Sequence, residues 1–172
     1  MSPPALTCAL TETALGWAGV ALSPAGIRHA TLFHRTREAA EAELRSVAAT
    51  ERDPERADEV EGLLRAYATG SVGALSEYPV DLPPCTPLQR RTWLALREIP
   101  GGETRSYSWL ARRTGAESPR ATGAMVGANP VPLWLPCHRV VAADGKLQGF
   151  GGGLAMKQAL LELEGALPRS FA

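Results

Sequence analysis

The sequence lacks any apolar run of the roughly 20 residues that a membrane-spanning helix needs. Its first ten residues, MSPPALTCAL, also lack the charged and long apolar regions of a signal peptide. We therefore expect a soluble globular protein located in the cytoplasm. The 172 residues are enough for one large or two small domains, and the 45% apolar content is enough for a sizeable core.

Cysteine is scarce as well. The chain has three cysteines, Cys8, Cys85 and Cys137, which lie far apart and form no CxxC pair. This number and spacing argue against a disulfide framework and against a compact zinc site. We expect reduced thiols and no metal site.

The formal net charge of zero hides two oppositely charged halves. Residues 1–85 contain 7 arginines and 12 acidic residues, a balance of −5, whereas residues 86–172 contain 11 basic and 6 acidic residues, a balance of +5. A basic C-terminal half suits contact with a polyanion, although a solvated charge imbalance without a partner explains the same numbers. The segment 81–86, DLPPCT, is typical of a linker, which predicts domains at 1–80 and 87–172.

The N-terminal half predicts strands followed by helices. The runs ALTCALTE, GWAGVAL and IRHATLF indicate a small antiparallel meander, because glycines and turn residues separate them. The segments TREAAEAELRSVAA and PERADEVEGLLRAYAT contain strong helix formers, with Leu63, Leu64 and Tyr67 at core-facing spacing. His29 and His34 have no cysteine or carboxylate at ligand spacing, so we expect a structural role for them.

The C-terminal half predicts three short helices over residues 87–98, 107–113 and 119–128. Thr86 and Gln89 form a capping-box pattern before the first helix, and the Asn-Pro pair at 129–130 ends the third. The candidate N-cap positions are Thr86, Ser106 or Ser108, and Ser118. This order is a helix-turn-helix outline.

The third of these helices, PRATGAMVGAN, has little side-chain bulk. Its small residues are Ala121, Gly123, Ala124, Gly127 and Ala128. Two glycines inside a helix cost roughly 1 kcal/mol each relative to alanine, so a compensating contact is expected. Either the helix packs tightly against a neighbouring element, or it approaches a DNA groove closely. Arg120 is then either a probe into the duplex or an ordinary surface arginine.

The run VPLWLPCHRVV places three reactive or charged side chains inside an apolar segment. A free thiol with a pKa of about 8.5 is mostly protonated at neutral pH, so a reactive Cys137 needs a base such as His138. Neighbouring side chains of an extended chain point to opposite faces, so the two communicate only through a turn, which Pro136 favours, or a bridging water. Glu162 and Glu164 are both candidates to hold the histidine. A buried structural cysteine is the alternative.

The motif LPCHRVV closely resembles the O6-alkylguanine-DNA alkyltransferase family, the methylated-DNA–protein-cysteine methyltransferases. It is preceded by GANPVPLW and followed by GFGGGLAMKQALLELEG, and the resemblance also includes GGETRSYSWLA and SPRATGAMVGANP. It covers almost all of residues 86–172, whereas the N-terminal half agrees only in its strand-then-helix order. The resemblance implies an α/β (α+β) fold class: a ribonuclease H-like domain followed by a winged helix-turn-helix domain.

The resemblance also implies a function. Such a protein repairs DNA by flipping O6-alkylguanine out of the duplex and transferring the alkyl group irreversibly to its own cysteine, once per molecule and without a cofactor. The implied partner is double-stranded DNA carrying the lesion, contacted in the minor groove by a monomer, with O4-alkylthymine as a second candidate substrate. No membrane partner is expected.

The resemblance assigns the chemical steps to individual residues of this chain. By resemblance, Cys137 is the alkyl acceptor, and His138, acting through a water, and Glu164 make it a thiolate. Tyr107 protonates the leaving guanine, and the amide of Asn129 braces the turn before the cysteine.

The implied contacts with DNA and with the flipped base form two further sets. Arg120 fills the space that the flipped nucleotide leaves, and the other expected DNA contacts are Ala121, Ala124 and Gly127. The expected pocket residues are Trp134, Val140, Phe150 and Gly151. Some relatives have tyrosine and serine at positions 150 and 151, and many have a basic residue at position 128. With Phe150 and Gly151 at these positions, we expect an apolar, roomy pocket that favours bulkier alkyl groups.

Two other function classes remain open. Alkyltransferase-like proteins keep the fold and the arginine but lack the cysteine, and they only flag lesions. A cysteine hydrolase would turn over repeatedly, but the sequence shows no oxyanion-hole or triad signature. The number of groups transferred per molecule separates the three.

Overall fold

The structure, a computed structural model, describes Ser2 and residues 4–169. The chain divides into two units, Met1–Pro83 and Pro84–Ala172, and this boundary falls within the segment expected to be a linker. The domain ends predicted at residues 1 and 172 lie outside the described residues. Across Ser2 and residues 4–169, no helix is both long enough and apolar enough to span a bilayer.

The first unit begins with the predicted antiparallel meander. Strands β1 (Thr7–Thr13), β2 (Gly16–Ser23) and β3 (Gly26–Ala30) form one sheet in that order. Tight two-residue turns connect them, and Gly26 starts β3 at a φ of +151°, which is accessible to glycine because it has no Cβ. The strand-then-helix order of this half is confirmed.

Two helices follow the sheet. Helix α1 (Arg37–Ser46) is capped by the Thr36 side chain, and α2 (Pro54–Ala68) by the Asp53 side chain. Their buried residues include Ala40, Leu44, Val60, Leu64 and Tyr67. Leu63 is only partly buried, so the prediction that it faces the core was wrong, whereas those for Leu64 and Tyr67 are confirmed.

The two histidines of this unit share one carboxylate. Nε2 of His29 lies 2.9 Å from one oxygen of Glu43, and Nε2 of His34 lies 2.7 Å from the other. Glu43 comes from α1, so its contacts tie the helix to β3 and to the segment after it. Within the described part of the chain, no cluster of three or more histidine, cysteine or acidic side chains could hold a metal ion.

Up to residue 169, the second unit contains four α-helices and a two-stranded sheet. Helices α3 (Pro87–Leu96), α4 (Tyr107–Thr114) and α5 (Pro119–Gly127) contact one another, and α6 (Leu154–Leu163) follows near the end of the chain. Strand β4 (Arg105–Ser106) pairs in parallel with β5 (Val140–Val141).

The helix boundaries follow the capping signals. Thr86 and Gln89 form the predicted capping box of α3, which ends at Leu96, two residues before the expected end. Ser106, not Ser108, caps α4, because its side chain accepts a hydrogen bond from the backbone N–H of Trp109. Ser118 caps α5 as predicted.

Candidate active site

The segment that follows α5 is buried throughout residues 131–141, which include β5. Cys137, His138 and Arg139 form a 3₁₀ turn that follows Pro136, so the cysteine and the histidine do not lie on an extended chain. Cys137 is 8% exposed and His138 is fully buried. The turn after Pro136, which the sequence analysis expected if Cys137 and His138 are to interact, is therefore present.

The environment of the Cys137 thiol combines opposing effects. Burial raises its pKa, while a hydrogen bond from the Asn129 side chain, the positive charge of Lys157 and the nearby backbone N–H groups lower it. Burial prevails, and the pKa of the thiol lies above its ordinary value. The resting form is therefore the thiol, and a thiolate forms only when a neighbouring group accepts its proton.

Asn129 braces the turn that leads to the cysteine. Its Nδ2 donates to the carbonyl of Leu135 at 2.7 Å, and its Oδ1 accepts from the backbone N–H of Val131 at 2.9 Å. Between these two anchor points, Leu133 adopts a left-handed conformation with a φ of +74°, which is unfavourable for a residue with a bulky side chain. The amide thus compensates for local strain while it contacts the thiol.

Glu164 lies directly behind the histidine. Its Oε2 is 2.9 Å from Nε2 of His138, although it lies off the direction of the ring N–H bond. Burial lowers the pKa of His138, so the imidazole is neutral at neutral pH. Nδ1 of the buried ring bonds to no protein atom of residues 4–169. The other candidate, Glu162, accepts a hydrogen bond from Gln158.

Arg139 is a site residue to which the sequence analysis assigned no role. Its Nε and Nη2 donate to the two carboxylate oxygens of Glu164 at 2.8 and 2.9 Å, and its Nη1 donates to the Ile99 carbonyl at 2.7 Å. Burial alone would raise the pKa of Glu164, but the two hydrogen bonds from Arg139 and the close contact with His138 lower it to about 2. Glu164 is therefore ionised and held rigidly.

Tyr107 and Lys157 share one acceptor. The phenol oxygen of Tyr107 donates to the carbonyl of Gln148 at 3.2 Å, and Nζ of Lys157 donates to the same carbonyl at 2.7 Å. The ammonium also lies 5.8 Å from the centre of the Tyr107 ring. Burial, together with the charge of Cys137, raises the pKa of the phenol, which keeps it a proton donor.

Lys157 was also missed, although the sequence contained a signal for it. It precedes Leu160 and Leu161 by three and four residues, which places all three on one face of α6, and it precedes Glu164, the C-cap of that helix, by seven. Leu160, Leu161 and Lys157 are fully buried. A lysine on the apolar face of a helix is unusual enough to be a candidate.

The small residues of α5 leave part of its surface bare. A Cβ at Gly127 would meet no described atom within 4 Å, and one at Gly123 would meet only the Tyr107 ring, at 3.8 Å. Arg120, Ala124 and Gly127 are exposed, whereas Ala121 is half-buried. Tight packing on a neighbouring element therefore does not explain the missing bulk. Arg120 makes no hydrogen bond or ion pair with the residues that the structure describes.

The expected pocket residues fall into two groups. Trp134 and Val140 are buried in the same segment as Cys137. Phe150 is half-buried and Gly151 is exposed, and both belong to the glycine-rich loop between β5 and α6. The loop is attached to the site by the Gln148 carbonyl.

Comparison with protein families finds a match that covers most of the second unit. Residues 87–166 match the model of the DNA-binding domain of 6-O-methylguanine DNA methyltransferase. The chain is 50% identical over 103 residues to a methylated-DNA–protein-cysteine methyltransferase of Mycobacterium bovis, covering 59% of this chain. The matched region spans 61% of the length of that relative. A Methanosarcina acetivorans relative of the same name is 44% identical over 105 residues, 60% of this chain and 65% of the relative.

Solved structures extend the similarity to both units. The crystal structure of Mycobacterium tuberculosis O6-methylguanine methyltransferase superposes with a TM-score of 0.73 and 34% identity, covering 94% of this chain and 93% of that chain. The structure of Mycobacterium tuberculosis OGT in complex with DNA gives a TM-score of 0.76 and 34% identity, covering 93% of each chain.

Proposed function

The chain belongs to the O6-methylguanine-DNA methyltransferase family, and from that membership we propose that it repairs DNA by transferring the alkyl group of O6-alkylguanine to Cys137. Its activity is that of a methylated-DNA–protein-cysteine S-methyltransferase that acts once per molecule. The observation that carries the proposal is the buried arrangement of Cys137, the neutral His138 and the ionised Glu164.

The first step is the activation of the thiol. His138 accepts the thiol proton at Nδ1 through a bridging water, which suits a buried nitrogen that has no protein partner in the described part of the chain. The imidazolium that forms is stabilised by Glu164, whose carboxylate lies 2.9 Å from Nε2. Because Arg139 keeps that carboxylate ionised and oriented, the positive charge on the histidine finds its counter-ion already in position.

The second step is displacement at the alkyl carbon. The thiolate sulfur forms a bond to that carbon, the bond from the carbon to O6 breaks, and its electron pair remains on the guanine. Tyr107 then donates its phenolic proton to the guanine ring, which neutralises the leaving group. The product is a thioether on Cys137. No other cysteine of the sequence lies nearby in the chain to remove the alkyl group, so each molecule acts once.

The base must leave the duplex before the thiolate can reach it. Unstacking costs a few kcal/mol, and less for a poorly paired lesion. We assign α4 and α5 to a winged helix-turn-helix and the first unit to a ribonuclease H-like domain, with the bare face of α5 in the minor groove. The open space around Gly127 and the unpartnered side chain of Arg120 support this assignment within the described residues. The basic balance of residues 86–172 supports it too.

Intact-mass analysis tests the proposal. Incubation with a duplex containing O6-methylguanine is expected to add one methyl group to Cys137 and none to Cys8 or Cys85. Cys137→Ser should gain none, while Cys85→Ser should react like the wild type. Absence of transfer would indicate a lesion-binding module, and release of many product equivalents would indicate a turnover enzyme. The same assay with O4-methylthymine tests the second substrate.

The cytoplasmic location and the monomeric state remain predictions.

A further inference from the structure

Lys157 is a buried cation that has no counter-ion among the residues that the structure describes. Its side chain is fully buried on α6, and no carboxylate within the described part of the chain forms an ion pair with it. Its one hydrogen bond within residues 4–169 goes to the neutral carbonyl of Gln148. Burying an ammonium without a partner is costly, so such a residue is retained when the site uses its charge.

The groups around Lys157 identify what uses the charge. Helix α4 contributes the Tyr107 ring, and the 3₁₀ turn contributes Cys137 and His138, whose ionisations the ammonium influences. Directly after the helix that contains Lys157, Glu164 is held by Arg139 and contacts His138. Once the thiol proton has passed to His138, whose imidazolium is paired with Glu164, the Cys137 thiolate is the anion that these contacts leave for Lys157.

The interaction between the two groups is reciprocal. The ammonium lowers the pKa of the Cys137 thiol, and the charge of Cys137 raises the pKa of Lys157. Burial opposes this and brings the pKa of Lys157 down to about 8, so the lysine is mostly charged at neutral pH. The cation is therefore present under the conditions in which the thiolate has to form.

We propose that Lys157 is a positioning residue whose ammonium stabilises the Cys137 thiolate and fixes the Gln148 carbonyl beside Tyr107. Lys157 keeps its own proton throughout, since the thiol proton goes to His138 and the guanine receives its proton from Tyr107. The part that concerns Tyr107 and repair rests on the proposed function. The effect on the thiolate does not, because thiolate formation is measurable without DNA.

The experiment is an ultraviolet titration of the thiolate. The absorbance of the full-length protein minus that of Cys137→Ser, recorded against pH, isolates the ionisation of Cys137. The same difference is measured in the Lys157→Met background, where methionine replaces the buried ammonium by an apolar chain of similar length. Lys146→Met is the matched control, because that lysine has a side chain 81% exposed to solvent.

We expect the thiolate midpoint to rise in Lys157→Met and to stay unchanged in Lys146→Met. The rate of methyl transfer at pH 7 should fall on the order of tenfold in Lys157→Met, which corresponds to about one pH unit of lost thiolate stabilisation. An unchanged midpoint would overturn the proposal, even if transfer slowed. Lys157→Gln, titrated in the same way, takes the place of Lys157→Met if the methionine variant does not fold.

The outcomes also separate this proposal from the proposed function. If the midpoint rises but wild-type protein transfers no methyl group from DNA, the repair function fails and the thiolate role stands. If wild-type protein transfers the group and the midpoint does not move, the role of Lys157 alone is refuted.

Discussion

Arg139 and Glu164 form a bidentate ion pair in the interior of the second unit. The two hydrogen bonds are 2.8 and 2.9 Å long, and the side chains are 10% and 0% exposed. Because the planar guanidinium matches both carboxylate oxygens, it fixes the orientation of the carboxylate that contacts His138. The relay behind Cys137 thus depends on a residue that does not itself exchange protons.

Removing the arginine should be strongly destabilising. Arg139→Met leaves the buried carboxylate of Glu164 without its guanidinium partner and beside a neutral His138, and we expect a loss of about 3–5 kcal/mol in the free energy of unfolding. Urea denaturation at pH 7 measures it. Arg113→Met is the matched control, since Arg113 makes a similar two-bond pair with Glu98 at the surface, worth about 1 kcal/mol or less. Equal losses in the two variants would contradict the assignment.

The ionised Glu164 also predicts how stability depends on acid. Its pKa is about 2 in the folded protein, below its ordinary value of 4.5. A depressed folded pKa contributes stability above the unfolded value and loses it as pH falls from about 4.5 to 2. The contribution is about 3 kcal/mol. Urea denaturation at pH 5 and at pH 3 should show a smaller difference in Glu164→Gln than in the wild type, and identical differences would refute the prediction.

Asn129 should matter for both stability and transfer. Asn129→Ala removes the donor to the Leu135 carbonyl and the acceptor for the Val131 N–H, and we expect a loss of about 1–3 kcal/mol. Methyl transfer should slow as well, because the brace also contacts the thiol. Thermal unfolding and single-turnover kinetics measure the two effects. A fully active, equally stable variant would show that the turn keeps its shape without the amide.

Variants of Arg120 and Tyr107 should distinguish extrusion of the base from the alkyl-transfer reaction. Arg120→Ala should slow repair of duplex DNA about a hundredfold, which a loss of about 2.7 kcal/mol from the flipped state would cause, and should leave reaction with free O6-benzylguanine almost unchanged. Tyr107→Phe should slow both substrates, because each needs proton donation. Second-order rates for the two substrates provide the measurement. Equal slowing of both substrates by Arg120→Ala would rule out its role in extrusion.

Side-chain bulk added to the bare face of α5 should affect helix stability and DNA binding in opposite directions. Gly127→Ala should stabilise the helix by up to about 1 kcal/mol, because the added methyl group meets no described atom. Gly127→Leu should weaken duplex binding, since bulk on this face would separate the helix from the groove. Gly62→Leu is the control, because Gly62 on α2 is equally open. Unchanged affinity in Gly127→Leu would exclude this face from the interface.

Most of the secondary structure could be predicted because its signals are local. Thr86 and Ser118 begin their helices through hydrogen bonds to backbone groups three residues away. The alternation of apolar and polar residues that predicts the first three strands, and the turn residues between them, are signals of equally short range. The ends of helices were predicted less accurately. Helix α3 ends at Leu96, two residues before the expected end, because the last turn of a helix depends on the residues packed around it.

The sequence by itself determined that a cysteine and a histidine are neighbours within an apolar segment, and it limited the carboxylate to two candidates. Only the tertiary structure decided that Glu164 contacts His138, that Arg139 holds the same carboxylate, and that Glu43 lies between His29 and His34. It also decided that Gly127, at the end of α5, faces open space. Hydrogen bonds to the backbone three or four residues away are encoded by spacing, whereas a buried ion pair between residues 25 positions apart exists only after helices and turns have packed.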